Sequence, residues 1–312
     1  MKDEKLPEPD GITKEFYLQF WTTIKTELTQ VINNALLFDN IPESWLEARI
    51  TLIHKKNEKE NLKNWRPISL LNTDYKIMAK ILESRLKVTL GKVIGNYQKC
   101  SLPYRYIQDI HLNIEAALEY SKEKTSDAYL IAIDNLKAFD MVNQNFLFQI
   151  MRKINLNPRV VNLLSKIYNG MISRIYVNGV TTENIRIRRG IRQGCPMSML
   201  LYALNYEPLA RKITRNRSIQ GLRIGKMEYK LDQYADDSTL FVMGIQSIRE
   251  TMKTYETFEK ATGQKINQAK TEILPINRSS SNHLKRTQYA HLEKHHIKIL
   301  GIYFGHNHYE RT

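Results

Sequence analysis

The sequence predicts an α+β fold, and three observations carry that prediction. Apolar residues recur at helical spacings of three and four, short β-prone runs end at turn signals, and the two patterns are interspersed without regular alternation. After an extended lead-in from Glu4 to Ile12, the residues Phe16, Phe20, Ile24, Leu28, Val31 and Ala35 mark one face of an amphipathic helix. Arg49–His54 is a β-prone run, the polar stretch from Lys55 to Asn64 is the expected tip of a hairpin, and Arg66–Leu71 follows it. Helices are expected over Asp74–Leu90 and Ile107–Tyr120. Tyr129–Ile133 is a continuous apolar run of strand length, which points to a buried strand ending at Asp134. Two helical stretches follow, the second opened by Pro158. Asn178-Gly179 is a hairpin signal between Arg174–Val177 and Ile185–Arg188, with the register left open. Ser198–Ile213 reads as helix, and Leu231–Met243 as strand, tight turn and strand with Asp236-Asp237 at the turn. The helix over Gln246–Thr262 should stop at Gly263.

Composition sets the broad class. The 312 residues, 42% hydrophobic and 25% charged, suit one large domain or two closely packed subdomains. There is no internal repeat and no low-complexity stretch. Two cysteines, Cys100 and Cys195, cannot build a disulfide scaffold or a Cys/His zinc signature. The first residues lack the apolar core of a signal peptide, and no run has the roughly 18 apolar residues of a membrane helix. A soluble intracellular protein that does not engage membranes is expected, with nucleus or cytoplasm left open. Its net charge of +15 favours a polyanionic partner such as nucleic acid.

Three carboxylates stand out by context. Asp134 ends an apolar strand, where an uncompensated charge is costly. Asp236 and Asp237 are adjacent like charges at a turn, and a divalent cation would relieve their repulsion. Taken singly, Asp-Asp is a common turn former. If the end of the Asp134 strand met that turn, the cluster would suit Mg²⁺. Arg186, Arg188, Arg189 and Arg192 add four guanidinium groups suited to phosphate contact, although alternation fits the first two equally to the solvent face of a strand. Cys195 reads as a small packing residue. The histidines at 291, 295, 296, 306 and 308 read as surface residues.

Longer stretches narrow the choice. Asp134-Asn135-Leu136-Lys137-Ala138-Phe139-Asp140, Arg189-Gly190-Ile191-Arg192-Gln193-Gly194-Cys195-Pro196-Met197-Ser198 and Tyr234-Ala235-Asp236-Asp237 occur in that order. Together they resemble the successive palm motifs of reverse transcriptases from non-LTR (LINE-type) retrotransposons. Trp65–Asn72 is similar to the family's finger motif, Gly263–Thr271 to a segment beyond the active site, and Ile297–Ile302 to the hairpin at the base of the palm. The resemblance runs from about Pro9 to about Phe304.

It implies a right-hand polymerase of fingers and palm, with an antiparallel palm sheet backed by helices and the thumb largely absent. The implied division is 1–125 for the lead-in and fingers, 126–305 for the palm with inserted finger elements, and 306–312 for a tail. The implied reaction copies an RNA template onto a DNA primer from deoxynucleoside triphosphates (dNTPs), using two Mg²⁺ ions or Mn²⁺ in their place. Asp134, Asp236 and Asp237 would be the catalytic metal ligands. Phe139 would lie under the nucleotide sugar and exclude a 2′-hydroxyl, although a core aromatic would also suit that position. Gln193 and Gly194 would line the nucleotide pocket, Lys55 and Arg66 would hold the triphosphate, and Lys270 would be a general acid for pyrophosphate.

Departures from the family pattern qualify these expectations. Met199 replaces a proline, and Cys100 and Tyr104 replace two glycines, which is costly if either position needs a positive φ. The chain matches neither the endonuclease nor the cysteine-rich tail of the family's full-length proteins. The resemblance therefore implies a truncated copy, with the question of a partner supplying a thumb or endonuclease left open. The alternative is a catalytically inactive remnant that only binds nucleic acid.

Overall fold

The computed structural model describes residues 9–55, 57–123 and 127–305, the side chains of residues 122 and 123 excepted. In chain order its elements are α1 (Lys14–Gln19), α2 (Trp21–Phe38), β1 (Glu47–His54), β2 (Trp65–Leu70), α3 (Thr73–Val93) and α4 (Ile107–Glu123). Next come β3 (Ala128–Ile133), α5 (Gln144–Lys153), α6 (Pro158–Asn169), β4 (Ile172–Val177), β5 (Val180–Thr181), β6 (Ile185–Arg186) and α7 (Ser198–Arg215). The last are β7 (Leu222–Ile224), β8 (Met227–Tyr229), β9 (Leu231–Tyr234), β10 (Asp237–Met243), α8 (Gly244–Thr262), β11 (Glu272–Pro275), α9 (Arg278–Lys285), β12 (His296–Ile299) and β13 (Ile302–Gly305). Helices and strands are interspersed, as the α+β expectation requires.

The chain divides into two compact units, Met1–Leu86 with Val142–Leu201, and Lys87–Met141 with Tyr202–Thr312. In the first unit, β1 and β2 form the expected antiparallel hairpin, with His54 opposite Trp65. Parallel pairing of β1 with β4 extends it into the sheet order β2-β1-β4-β5, with β6 also on β4. Asn178 and Gly179 both take positive φ and join β4 to β5 as a two-residue hairpin, Val177 facing Val180. The expected partner, Ile185–Arg188, supplies only β6, which pairs at the other end of β4 through Ile172 and Ser173. The tight turn pairs Val180–Thr181 first, so Ile185 returns further along the strand.

The expected long N-terminal helix is two helices. At Phe20 the backbone reaches φ −102° and ψ 15°, ending α1 and starting α2. Of the apolar stripe on this segment only Ala35 is buried, because periodicity signals a helix without guaranteeing anything to cover its face.

In the second unit the sheet order is β11-β3-β10-β9, antiparallel throughout. β3 is the central apolar run, with Tyr129, Leu130 and Ile131 fully buried. Its core includes Ile110, Ile114 and Leu118 of α4, with Phe241, Leu274 and Phe304. Gly263 caps α8 in the left-handed conformation at φ +73°, as the sequence suggested.

Candidate active site

Strand register brings the carboxylates of the second unit together. β3 pairs with β10 so that Ile133 faces Ser238, and one step further along this antiparallel ladder Asp134 comes level with Asp237. Across β10, Asp237 faces Tyr234 of β9. The turn between them is two residues long, Ala235 and Asp236, so Asp236 sits at its apex beside Asp237. Ala235 takes φ +53°, a conformation that costs a non-glycine residue about 1–2 kcal/mol.

Buried amides hold this turn. The Gln98 side chain brackets Ala235: its Oε1 accepts from Ala235 N at 3.1 Å, and its Nε2 donates to Ala235 O at 3.3 Å. Asn135 Nδ2 donates to the Asp236 carbonyl at 2.6 Å, while Asn135 Oδ1 accepts from the Tyr206 hydroxyl at 2.5 Å. Gln98 and Asn135 are both buried. Local strain is thus tolerated because the surroundings over-determine the backbone.

Asp134 is held from a different direction. Its Oδ2 accepts from Asn267 Nδ2 at 2.9 Å, and Lys270 Nζ lies 3.3 Å away. Asn267 N also donates to the Asp134 carbonyl at 2.8 Å, fixing the segment after α8 to the end of β3. The Asp237 carboxyl is pushed up to about 6, first by burial and then by the negative charges of Asp236 and Asp134, while Lys270 pulls it down. Asp237 nevertheless keeps substantial exposure, so the repulsion is the part of the shift on which weight belongs. Among the described residues, no three His, Cys, Asp or Glu side chains converge into a ready-made metal cage. The three aspartates are neighbours in charge rather than a closed ligand shell.

Phe139 is half-buried, and its ring stacks on Tyr202 at 4.8 Å between centroids and 22° between planes. Tyr202 stacks in turn on Tyr206 at 5.0 Å and 23°.

The remaining candidates belong to the first unit. Lys55 and Arg66 are exposed at the loop end of the β1–β2 hairpin, Arg66 facing Ile53 across the ladder. Trp65 beside it is half-buried while Arg66 is exposed, because neighbouring residues on a strand point to opposite faces. Gln193 accepts at its carbonyl from Ser69 N, 2.7 Å away. Gly194 has φ +114°, and a methyl there would lie 2.7 Å from the Ser69 carbonyl oxygen. Close backbone approach is therefore real at Gly194, and the partner the structure gives it is β2.

Arg192 corrects the reading of four phosphate-binding arginines. It is 5% exposed, donates from Nη1 to Trp45 O at 2.8 Å and from Nη2 to Leu46 O at 2.5 Å, and lies over the Tyr75 ring. Its guanidinium anchors the first unit, while Arg186, Arg188 and Arg189 are exposed. Cys195 is a buried packing residue with Sγ 3.4 Å from the Tyr75 hydroxyl, and burial pushes its thiol up. His291, His295 and His296 are exposed; positions 306 and 308 lie outside the described residues.

The two replaced glycines separate cleanly. Tyr104 takes φ +58°, whereas Cys100 is not among the positive-φ residues. Arg105 fixes the strained loop, its guanidinium donating to the carbonyls of Gly91, Ile94, Gly95 and Gln98.

Sequence reasoning passed over Gln98, Asn135, Tyr202, Tyr206 and Asn267 as supports. Asn135 and Asn267 lie inside the motif stretches and Gln98 lies two residues before Cys100, so their sequence neighbourhood was a usable signal. Tyr202 and Tyr206 had only helical periodicity to mark them.

Similarity to known proteins identifies the family of the chain. A family model described as reverse transcriptase (RNA-dependent DNA polymerase) matches residues 53–304. The chain is 32% identical over 274 residues to the transposon TX1 uncharacterized 149 kDa protein of Xenopus laevis, covering 88% of this chain and 21% of that protein. It is 24% identical over 283 residues to a retrovirus-related Pol polyprotein from type-1 retrotransposable element R2 of Popillia japonica, covering 90% of this chain and 39% of that one. Its fold is similar to that of apo telomerase from Candida tropicalis truncated from the C-terminal domain, with a TM-score of 0.59, 12% identity, and 91% and 58% of the two chains covered. The chain therefore spans well under half the length of these two sequence relatives. With the family model covering most of its length and transposon proteins among its relatives, the chain belongs to the reverse transcriptase family of the non-LTR retrotransposon type.

Proposed function

We propose that this chain extends a DNA primer along an RNA template, joining the primer 3′-hydroxyl to the α-phosphorus of a dNTP and releasing pyrophosphate. One observation carries the reading: antiparallel register brings Asp134 level with Asp237, beside Asp236 at a turn held by buried amides. In this step the O3′–P bond forms as the bond from α-phosphorus to the pyrophosphate oxygen breaks.

The donor set suits a hard divalent cation, because the oxygens are carboxylates, and burial together with the charges of Asp236 and Asp134 raises the Asp237 carboxyl. Asp134 and Asp236 would hold Mg²⁺, or Mn²⁺ in its place, with Asp237 beside them. Two such ions would stabilise charge on the attacking and departing oxygens. Lys270, ion-paired with Asp134, is the candidate proton donor to pyrophosphate. Phe139 would lie under the sugar. Lys55 and Arg66 would meet the triphosphate, with Gln193 and Gly194 lining the nucleotide pocket. We read residues 126–305 as palm with inserted finger elements, the insertion falling in 142–201 of the first unit, and the lead-in and fingers as 1–125. The net charge of +15 favours the nucleic-acid partners.

Primer extension on an RNA template with Mg²⁺ tests the proposal by comparing the native chain with Asp236→Ala. Extension by the native chain alone supports it. Equal extension by both overturns the assigned site. Absence of extension with salt-sensitive RNA binding retained would favour a binding-only protein.

A further inference from the structure

We infer that Tyr202 is a positioning residue for sugar selection: its ring fixes Phe139 in place and thereby sets how strongly ribonucleotides are refused. The inference rests on Phe139 being the residue beneath the nucleotide sugar, and goes beyond it by assigning what makes that ring resistant. A ring can exclude one hydroxyl only if it cannot swing aside when the hydroxyl arrives. Phe139 is half-buried on the loop after β3, so burial alone does not enclose its ring.

Tyr202 supplies the restraint. The two rings are offset-stacked at 4.8 Å and 22°, within the favoured range for aromatic pairs. Tyr202 is fully buried, and its other stacking partner is Tyr206 at 5.0 Å. Tyr206 is itself immobilised by Phe258, 5.3 Å away, and by donating its hydroxyl to Asn135 Oδ1. Asn135 Nδ2 reaches the Asp236 carbonyl. A continuous path of two hydrogen bonds and two ring stacks therefore runs from the Asp236 turn to Phe139. The ring that would meet the sugar and the turn bearing Asp236 share one support. Core packing alone would require Tyr202 to be apolar and large; it would not require a flat face against Phe139.

The experiment measures the ratio of deoxyribonucleotide to ribonucleotide kcat/KM in primer extension for the native chain, Tyr202→Phe, Tyr202→Leu, Tyr202→Met and Phe139→Ala. The native ratio should survive in Tyr202→Phe, which keeps the ring. It should fall about 3- to 10-fold in Tyr202→Leu and Tyr202→Met, the range expected for loss of one aromatic stack. If Phe139→Ala loses discrimination while Leu and Met at position 202 preserve it, Tyr202 is only core and the inference fails. If Phe139→Ala also preserves it, the assignment of Phe139 fails and takes this inference with it. A readout that needs no turnover is ¹⁹F NMR of 4-fluorophenylalanine placed at position 139. The Leu and Met variants should show a ring resonance shifted and averaged by faster motion, and Tyr202→Phe should not. An unchanged resonance in all three would overturn the inference.

Discussion

Around Asp134 and Asp236 the backbone is gripped by side-chain amides, Gln98 and Asn135 being 1% and 5% exposed, whereas Lys55 and Arg66 stand in solvent at the loop end of the β1–β2 hairpin. The acidic region is held in place by side chains of the chain itself. The basic region has charge and reach, and among the described residues no side-chain partner fixes the Lys55 and Arg66 head groups. This difference follows from the chemistry each region would perform. Carboxylates that repel one another must be held by something else, while a long cationic side chain can adjust to a phosphate it meets. Preorganisation is therefore concentrated where the charges are alike.

That contrast can be broken most severely at the turn. Asp236→Ala should reduce extension by at least about 10³-fold, the scale of several kcal/mol of lost charge stabilisation. Far-ultraviolet circular dichroism should stay native, and a variant that extends normally would remove the turn from the mechanism. Gln98→Ala should lower kcat by about 10- to 100-fold, because it removes the bracket that helps hold Ala235 in its positive-φ conformation. Steady-state kinetics beside an RNA-binding isotherm would separate this from a loss of template affinity.

On the basic side, Arg66→Ala should raise KM for the dNTP about 10-fold, the worth of a charge-assisted hydrogen bond. Its unfolding free energy should stay within about 0.5 kcal/mol of native, since the side chain is exposed. A large fall in stability would mean that Arg66 is structural, as Arg192 is. Smaller still, Tyr104→Gly should raise stability by about 0.5–1 kcal/mol in a denaturant titration, since glycine relieves the positive φ but adds freedom to the unfolded chain.

The smallest effect sharpens the comparison through pH. Burial raises the Asp232 carboxyl above 3.8, against hydrogen bonds from Asn113 and Tyr229 that lower it. A carboxyl raised in the folded state holds its proton there more tightly than in the unfolded state. Native stability should then fall as pH rises from about 3.8 through the folded value. Asp232→Asn removes that slope and still accepts from Asn113, so its stability relative to the native chain should grow from pH 3 to pH 7. Parallel curves would show that Asp232 contributes nothing to the acid dependence.

Much of the site was readable because its elements are local. The apolar run before Asp134, the acidic pair after Leu231–Tyr234 and the glycine after α8 each advertise their element within a few residues. Tyr104 shows the same: a glycine replaced at a loop position proved to be a positive-φ position. Arg192 shows the limit. In sequence it is one more arginine in a basic run, and only its distances to Trp45 and Leu46 carbonyls reveal an anchor. The stripe on α1 and α2 fails for a related reason, since periodicity describes a helix surface and not what lies against it.

The sequence by itself determined the element types, the tight turns, the positive charge and the carboxylates worth examining, because propensity and turn chemistry act over a few residues. Only the tertiary structure decided that β3 pairs with β10 in a register that aligns Asp134 with Asp237, and that Gln98, Asn135 and Tyr206 brace the turn between them. Those partners are separated by tens to more than a hundred residues in the chain. Their pairing is set by packing of the whole sheet and its helices, and no local pattern encodes it.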